Sequence, residues 1–365
     1  MQSVAFFISP HGFGHAARAS AVMLALRAQQ PELGFEIFTR VPEWFFQETL
    51  GQGYRYHSLL TDIGMVQRTP VDEDAPETLR RLQAFVPFSE KLLDRLAARL
   101  HALNCCLVLA DISPLGLAAA RRAGLPSILL ENFTWDWIYA AYLPEVPGLA
   151  GPMAYLQHVF AQADYHIQTE PVCDPQPGVD LVAAPITRPP RTDPAALRRQ
   201  IGVPPDQRVV LVTLGGIKET VGVSENLSRA DDLFFIIPGA ATEAQRRSNQ
   251  LLLPHHSGFY HPDLLHASDG VVGKPGYSTL SETYAAGIPF AYLPRPRFRE
   301  YPVLAAFIER EIGGFAISAP EFERGDWIEK LRGLLNTRLR QPRPANGAAQ
   351  VADFMLRVLP YNPAA

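Results

Sequence analysis

"VAFFISPHGFGHAARASAVMLALRA", residues 4–28, passes from an apolar run through a loop of glycines and histidines into a helical pattern. A short buried strand that turns directly into an amphipathic helix opens a βαβ unit, and such units build parallel sheets covered on both faces. The loop between them holds His11, Gly12, Gly14 and His15. Gly12 and Gly14 are expected to allow positive φ and close backbone approach to a ligand. The helix N-terminus that follows favours an anion or developing negative charge. The spacing is not that of a dinucleotide fingerprint: the third glycine position holds Ala17, and the second strand ends in Arg40 rather than an acid.

The same alternation continues through "FEIFTR" (35–40), "CCLVLAD" (105–111), a helix near 114–123, "PSILLEN" (126–132) and "ADYHIQT" (163–169). Residues 76–103 read as helical throughout. A stretch dense in Pro and Arg (184–208), with room for one short helix, reads as a linker. Beyond it a second alternation runs through "VVLVTLGG" (209–216), "LFFIIPG" (233–239), "SGFY" (257–260), "DGVVG" (269–273) and "PFAYLP" (289–294). The expected architecture is α/β, with two doubly wound Rossmann-like domains facing each other across a cleft. Their ligands are expected at the carboxyl ends of strands. The boundaries are 1–190, 191–340, and a C-terminal helix within 341–365 that crosses back to the first domain, with Val351, Phe354, Met355 and Val358 on one face.

Composition narrows the function. The 365 residues are 47% hydrophobic and 19% charged, enough for two cores, with a formal charge of −4. That balance argues against nucleic acid as a partner, since phosphate binding needs a concentrated basic face. Three cysteines, Cys105, Cys106 and Cys173, form neither a disulfide framework nor a C-x-x-C metal pattern, and read as free thiols. No basic leader opens the chain, and no apolar run reaches the roughly 18 residues of a membrane helix. The expectation is a cytoplasmic protein without a transmembrane segment; the oligomeric state is not readable.

A histidine at the top of a strand, with a carboxylate beside it, can act as a general base near neutral pH. Asp111 ends another strand of the first domain, so His15 and Asp111 are the catalytic candidates. His11, Gly12, Gly14 and Asn132 are candidates for the acceptor side. The bland alternative is that His11 caps the turn and His15 bonds a backbone carbonyl. The two histidines are four apart, but His11 precedes the helix and no third ligand is evident, so no metal is expected. The aromatic "ENFTWDWIYAAY" (131–142) reads either as a stacking surface for an acceptor or as a buried packing helix.

The second domain carries "GKPGYSTLSE" (273–282) between a strand and a helix. Lys274, a glycine turn at Gly276 and the hydroxyls of Ser278 and Thr279 form a candidate diphosphate cradle. Glu282 lies one turn inside, where a carboxylate can bind ribose hydroxyls; the alternative is a capping box with Ser278 or Thr279. Downstream, "PRPRFREYP" (294–302) offers Glu300 to sugar hydroxyls, against the default of a solvated charge cluster. Gly215 and Gly216 end the first strand of this domain in another tight loop.

Taken together, "HGFGHAAR", "ENFTWDWIYAAY", "YHPDLLHASDGVVGKPGYSTLSE" and "GIPFAYLPRPRFREYP" resemble a GT-B glycosyltransferase. They are most similar to the glycosyltransferase-like domain at the front of plant arabinokinases, and more distantly to inverting UDP-sugar transferases. The resemblance runs to about residue 310 and is specific at these four stretches. It implies a nucleotide-diphosphate sugar donor, here a UDP-sugar, and a small-molecule or glycan acceptor. It implies no metal and no further cofactor. His15 takes the place of the base, Asp111 that of its orienting acid, Lys274 that of a diphosphate ligand, Glu282 that of the ribose acid, and Glu300 that of the acid reading donor hydroxyls. Two departures are Lys where that ligand is usually His, and Tyr301 where Gln usually follows the acid. The second leaves the donor sugar open. Two other functions remain open as well: a nucleotide-sugar-binding regulatory module, since the similar domain is joined to a sugar kinase, and a sugar-nucleotide epimerase. One sequence also leaves open an exchange of roles between His11 and His15.

Overall fold

The computed structural model describes residues 2–69, 72–213, 226–336 and 346–359. The chain forms two compact units, one of Met1–Arg68, Glu73–Arg188 and Pro344–Ala365, the other of Thr69–Asp72 and Pro189–Arg343.

The first unit is a seven-stranded sheet of β1 (Ser3–Ile8), β2 (Gly34–Thr39), β3 (Tyr54–Ser58), β4 (Cys105–Asp111), β5 (Ser127–Glu131), β6 (Tyr165–Thr169) and β7 (Leu181–Ala183). Its order is β3-β2-β1-β4-β5-β6-β7, and every pairing is parallel. Strand β1 is buried along its whole length, as a strand covered on both faces must be. Val4, Phe6 and Ile8 pack beneath the helix α1 (Gly14–Gln29). Phe7 points the other way, stacked on Phe38 with ring centroids 4.5 Å apart. A further helix, α2 (Pro114–Ala123), lies so close to Phe7 that a Cβ at Gly116 would stand 2.5 Å from that residue's own.

Chain order reverses between β1 and β4, whose last residues Ile8 and Asp111 are paired. The loop of His11, the start of α1 with His15, and the carboxyl of Asp111 thus emerge at one edge, the point where ligands of such sheets bind. Residues 76–103 form two helices, Ala75–Phe85 and Glu90–Ala102, interrupted around Pro87.

The second unit contains β8 (Arg208–Thr213), β9 (Leu233–Pro238), β10 (Gln245–Arg247), β11 (Gln250–Leu253), β12 (Gly270–Gly273), β13 (Phe290–Tyr292) and β14 (Gly314–Ala316). The order is β10-β11-β9-β8-β12-β13-β14. All pairs are parallel except β10–β11, so this sheet departs from a wholly parallel one at its edge. The expected strand at 257–260 is absent: that segment is a bend before the helix His261–His266, and "QLLL" (250–253) is the strand instead. Leu252 and Leu253 are fully buried, whereas Ser257 and Gly258 offer no apolar side chain to a core.

Three further helices bear on the sites: α3 (Trp135–Ala140), α4 (Tyr277–Ala286) and α5 (Gly347–Val358). Helix α5 belongs to the first unit and packs on α1 and β7 through Val351, Ala352 and Met355.

Candidate active site

The first cluster forms around Asp111, which is fully buried at the end of β4. Its Oδ1 accepts from Nδ1 of His15 at 2.8 Å, and its Oδ2 from Nε of Arg18 at 2.8 Å. A second Arg18 nitrogen reaches Oδ1, making the guanidinium bidentate. His15 and Arg18 are three apart on α1 and so share a helix face. Arg18 in turn donates to the side-chain oxygen of Asn132, just past β5, and Asn132 donates to the Thr169 carbonyl at 2.5 Å.

Charge follows from this geometry. Burial alone would raise the Asp111 carboxyl, but Arg18 and His15 outweigh it and hold the group below its ordinary range. Burial is also the largest influence on His15 and lowers its pKa, with Asp111 opposing and Arg18 assisting. An ionised Asp111 fixes the tautomer with hydrogen on Nδ1 and the lone pair on Nε2. The result is a neutral, oriented imidazole, suited to accept a proton.

Other residues of the first unit take different places from those expected. Gly12 has φ +74, the left-handed region, but Gly14 is simply the first residue of α1. His11 does not cap that helix, whose N-cap is Phe13 without a side-chain bond; its ring packs edge-on against Trp135 at 5.1 Å. Asn132 is buried and braces Arg18 rather than facing an acceptor. Phe133, Trp135, Tyr139 and Tyr142 are all buried, so the aromatic stretch is mainly packing.

The second cluster lies at the carboxyl ends of β12 and β13. Lys274 follows β12, and the Leu293 amide donates to the Gly273 carbonyl at 2.9 Å, which sets the two strand ends side by side. Burial lowers the Lys274 pKa; Arg295 lowers it further and Glu300 opposes. Two cations and a carboxylate therefore act on one another here. Arg295 and Glu300 are buried, not solvated.

Helix α4 begins at Gly276, its N-cap, and no side chain caps it. The alternative of a capping box is absent, because Ser278 and Thr279 already lie in the first turn and Glu282 bonds Nδ1 of His261 at 3.1 Å. Gly276 is extended, with φ −122, so no turn demands glycine; a Cβ there would meet nothing within 4 Å. The uncapped amides of this terminus are suited to an anion. Gly215 and Gly216 lie outside the described residues. Among the described residues no group of His, Cys, Asp and Glu could hold a metal ion, and no helix is long and apolar enough to cross a membrane.

Sequence reasoning named His15 and Asp111 but gave Arg18 no role, and it missed Asp62, a buried carboxyl whose Oδ1 accepts from Ser9 at 3.1 Å. An arginine among the alanines at the start of α1, three residues after His15, was the available signal for Arg18. Asp62 sits in "LLTDIGM" with no local pattern to mark it.

No family model matches the chain. It is 27% identical to Arabidopsis thaliana L-arabinokinase over 357 residues, which are 96% of this chain and 34% of that protein. The chain thus spans about a third of the length of that relative. It is 25% identical over 268 residues to an uncharacterized glycosyltransferase of Methanopyrus kandleri, covering 70% of this chain and 75% of the relative. Among solved structures, Phytolacca americana UGT2 complexed with UDP-2fluoro-glucose and pterostilbene superposes with a TM-score of 0.61 at 12% identity, over 98% of this chain and 94% of that one. The fold is GT-B, and the relatives in sequence and structure include glycosyltransferases.

Proposed function

We propose that this GT-B chain is an inverting glycosyltransferase that moves a sugar from a UDP-sugar to a hydroxyl of a small-molecule or glycan acceptor. The observation that carries the reading is the 2.8 Å bond between His15 Nδ1 and a buried, Arg18-bound Asp111. Nε2 of His15 takes the acceptor proton as the oxygen attacks the anomeric carbon; the bond to the diphosphate breaks and the configuration inverts. Asp111 stabilises the imidazolium that forms. Lys274 and the α4 N-terminus take the charge of the leaving diphosphate without a metal, Glu282 binds ribose, and Glu300 reads sugar hydroxyls. UDP as the nucleotide is supported by the UDP-2fluoro-glucose in the Phytolacca structure.

A second reading has one observation in its favour. The matched part of L-arabinokinase is about a third of that protein, so the chain could instead bind nucleotide sugars as a regulatory module. Incubation with a panel of UDP-sugars, followed for UDP release with and without acceptors, separates the readings. Acceptor-dependent release supports transfer. Binding without release supports the module, and a changed sugar on intact UDP supports an epimerase.

A further inference from the structure

Beside the segment that leads from β1 to His15 lies a carboxyl that the proposed reaction does not use. Asp62, on the segment after β3, is 2% exposed. Its Oδ1 accepts from the Ser9 hydroxyl, while its Oδ2 is buried without a hydrogen bond. The indole Nε1 of Trp135 is likewise buried without one, although it faces Asp62 closely enough to favour the ionised carboxyl. Ser9 follows β1 directly, and Trp135 opens α3 with its ring 5.1 Å from that of His11 and 6.3 Å from that of His15. Asp62 therefore bonds the strand end that leads into the histidine segment and lies beside Trp135, whose ring neighbours both histidines.

The surrounding charges decide its state. Asp111 acts on it and has the same sign as an ionised Asp62 would. Arg18, the cation of the cluster, is bonded to Asp111 and Asn132 instead. Tyr139 of α3, which is also acted on by Asp136, is buried and held far above its usual range, so it brings no positive charge. Its hydroxyl donates to the Gly64 carbonyl at 2.8 Å. A buried carboxyl bonded by a hydroxyl and no cation takes up a proton. Burial first, then the Asp111 charge, push Asp62 up to about 8 against the opposing pull of Ser9 and Trp135.

We propose that Asp62 is a positioning residue for the His15–Asp111 pair, working as a neutral carboxylic acid that holds the Ser9 hydroxyl at the start of the histidine segment without adding a second negative charge beside the imidazole. A carboxylate there would raise the proton affinity of His15 and favour the imidazolium, which is no base. Two carboxyls with opposite protonation, set by their environments, let one fold hold one as an anion and the other as an acid. Only the kinetic consequence rests on His15 being the base; the protonation states stand apart from it.

NMR titration tests this without substrate. In the wild-type protein the Asp62 carboxyl carbon should titrate near 8, and Asp62→Asn should leave the His15 midpoint in place. A carboxyl titrating near the ordinary carboxylate value of about 4 would overturn the proposal. So would a fall of about one pH unit or more at His15 in Asp62→Asn, since that means a charge was removed. The carboxyl measurement needs no variant and holds even if Asp62→Asn does not fold. Where transfer is measured, Asp62→Asn should keep kcat within about threefold and Asp62→Ala should lose roughly tenfold or more. Equal loss in both would contradict a role for the neutral acid, while absence of transfer with the titrations as expected would count against the transferase reading alone.

Discussion

Arg18 gives His15 its direction, because a buried Asp111 stays ionised only while the guanidinium is bonded to it. His15→Ala should therefore lower turnover by roughly 10²–10⁴-fold while UDP binding, assigned to the other unit, stays near wild type. Turnover and calorimetry check the two halves. Asp111→Asn should also cost stability, about 3–5 kcal/mol, because it strips a buried arginine of its counter-charge; denaturant unfolding measures this. The pH dependence has a definite sign. His15 has a folded pKa below its unfolded value of 6.5, so its native state binds fewer protons. Its contribution to stability is present above pH 6.5 and is lost as pH falls through the lowered folded value. The acid limb of kcat/KM should likewise lie below 6.5. His15 and Asp111 were legible in the sequence because each closes or follows an apolar run. Arg18 and Asp62 acquire their roles only from neighbours distant in the chain, 93 residues away for Arg18 and Asp111, and no spacing announces that.

Helix α4 makes the clearest distinction between a structural and a ligand-binding motif. A structural glycine would need positive φ or a crowded Cβ, and Gly276 has neither. Gly276→Ala should therefore fold, losing less than about 1 kcal/mol at the N-cap, yet weaken UDP by roughly tenfold, about 1.4 kcal/mol. Lys274→Ala should weaken UDP by about 1.5–3 kcal/mol through a lost charge-assisted bond. Calorimetry on both variants decides whether this terminus holds phosphate; unchanged affinity in both removes it. Helix α5 offers the opposite case. A Cβ at Gly347 would stand 1.9 Å from the Ala184 carbonyl oxygen, so Gly347→Ala should destabilise the chain by about 1–3 kcal/mol, read as a lower midpoint of unfolding. Elements were legible where apolar residues form one continuous run, as in "CCLVLAD", whose bounds match β4. They were not where a strand is short and polar at its flanks, as with "QLLL", or where the aromatic pair of "SGFY" imitates one.

Each unit places its candidate residues where its own strand order reverses, between β1 and β4 in one and between β8 and β12 in the other. That placement follows from doubly wound topology and was legible from the two alternations on either side of the proline-rich segment. Donor sugar and acceptor were not, because they depend on side chains that several loops bring together. Acceptor-dependent release of UDP from UDP-sugars, compared between wild type and His15→Ala, tests the proposed chemistry most directly. The expected result is release by the wild type that requires acceptor, and its loss by roughly 10²-fold or more in a folded His15→Ala protein that still binds UDP. Full release by that variant would contradict the mechanism, and wild-type protein that binds UDP-sugars but releases no UDP with any acceptor would contradict the function.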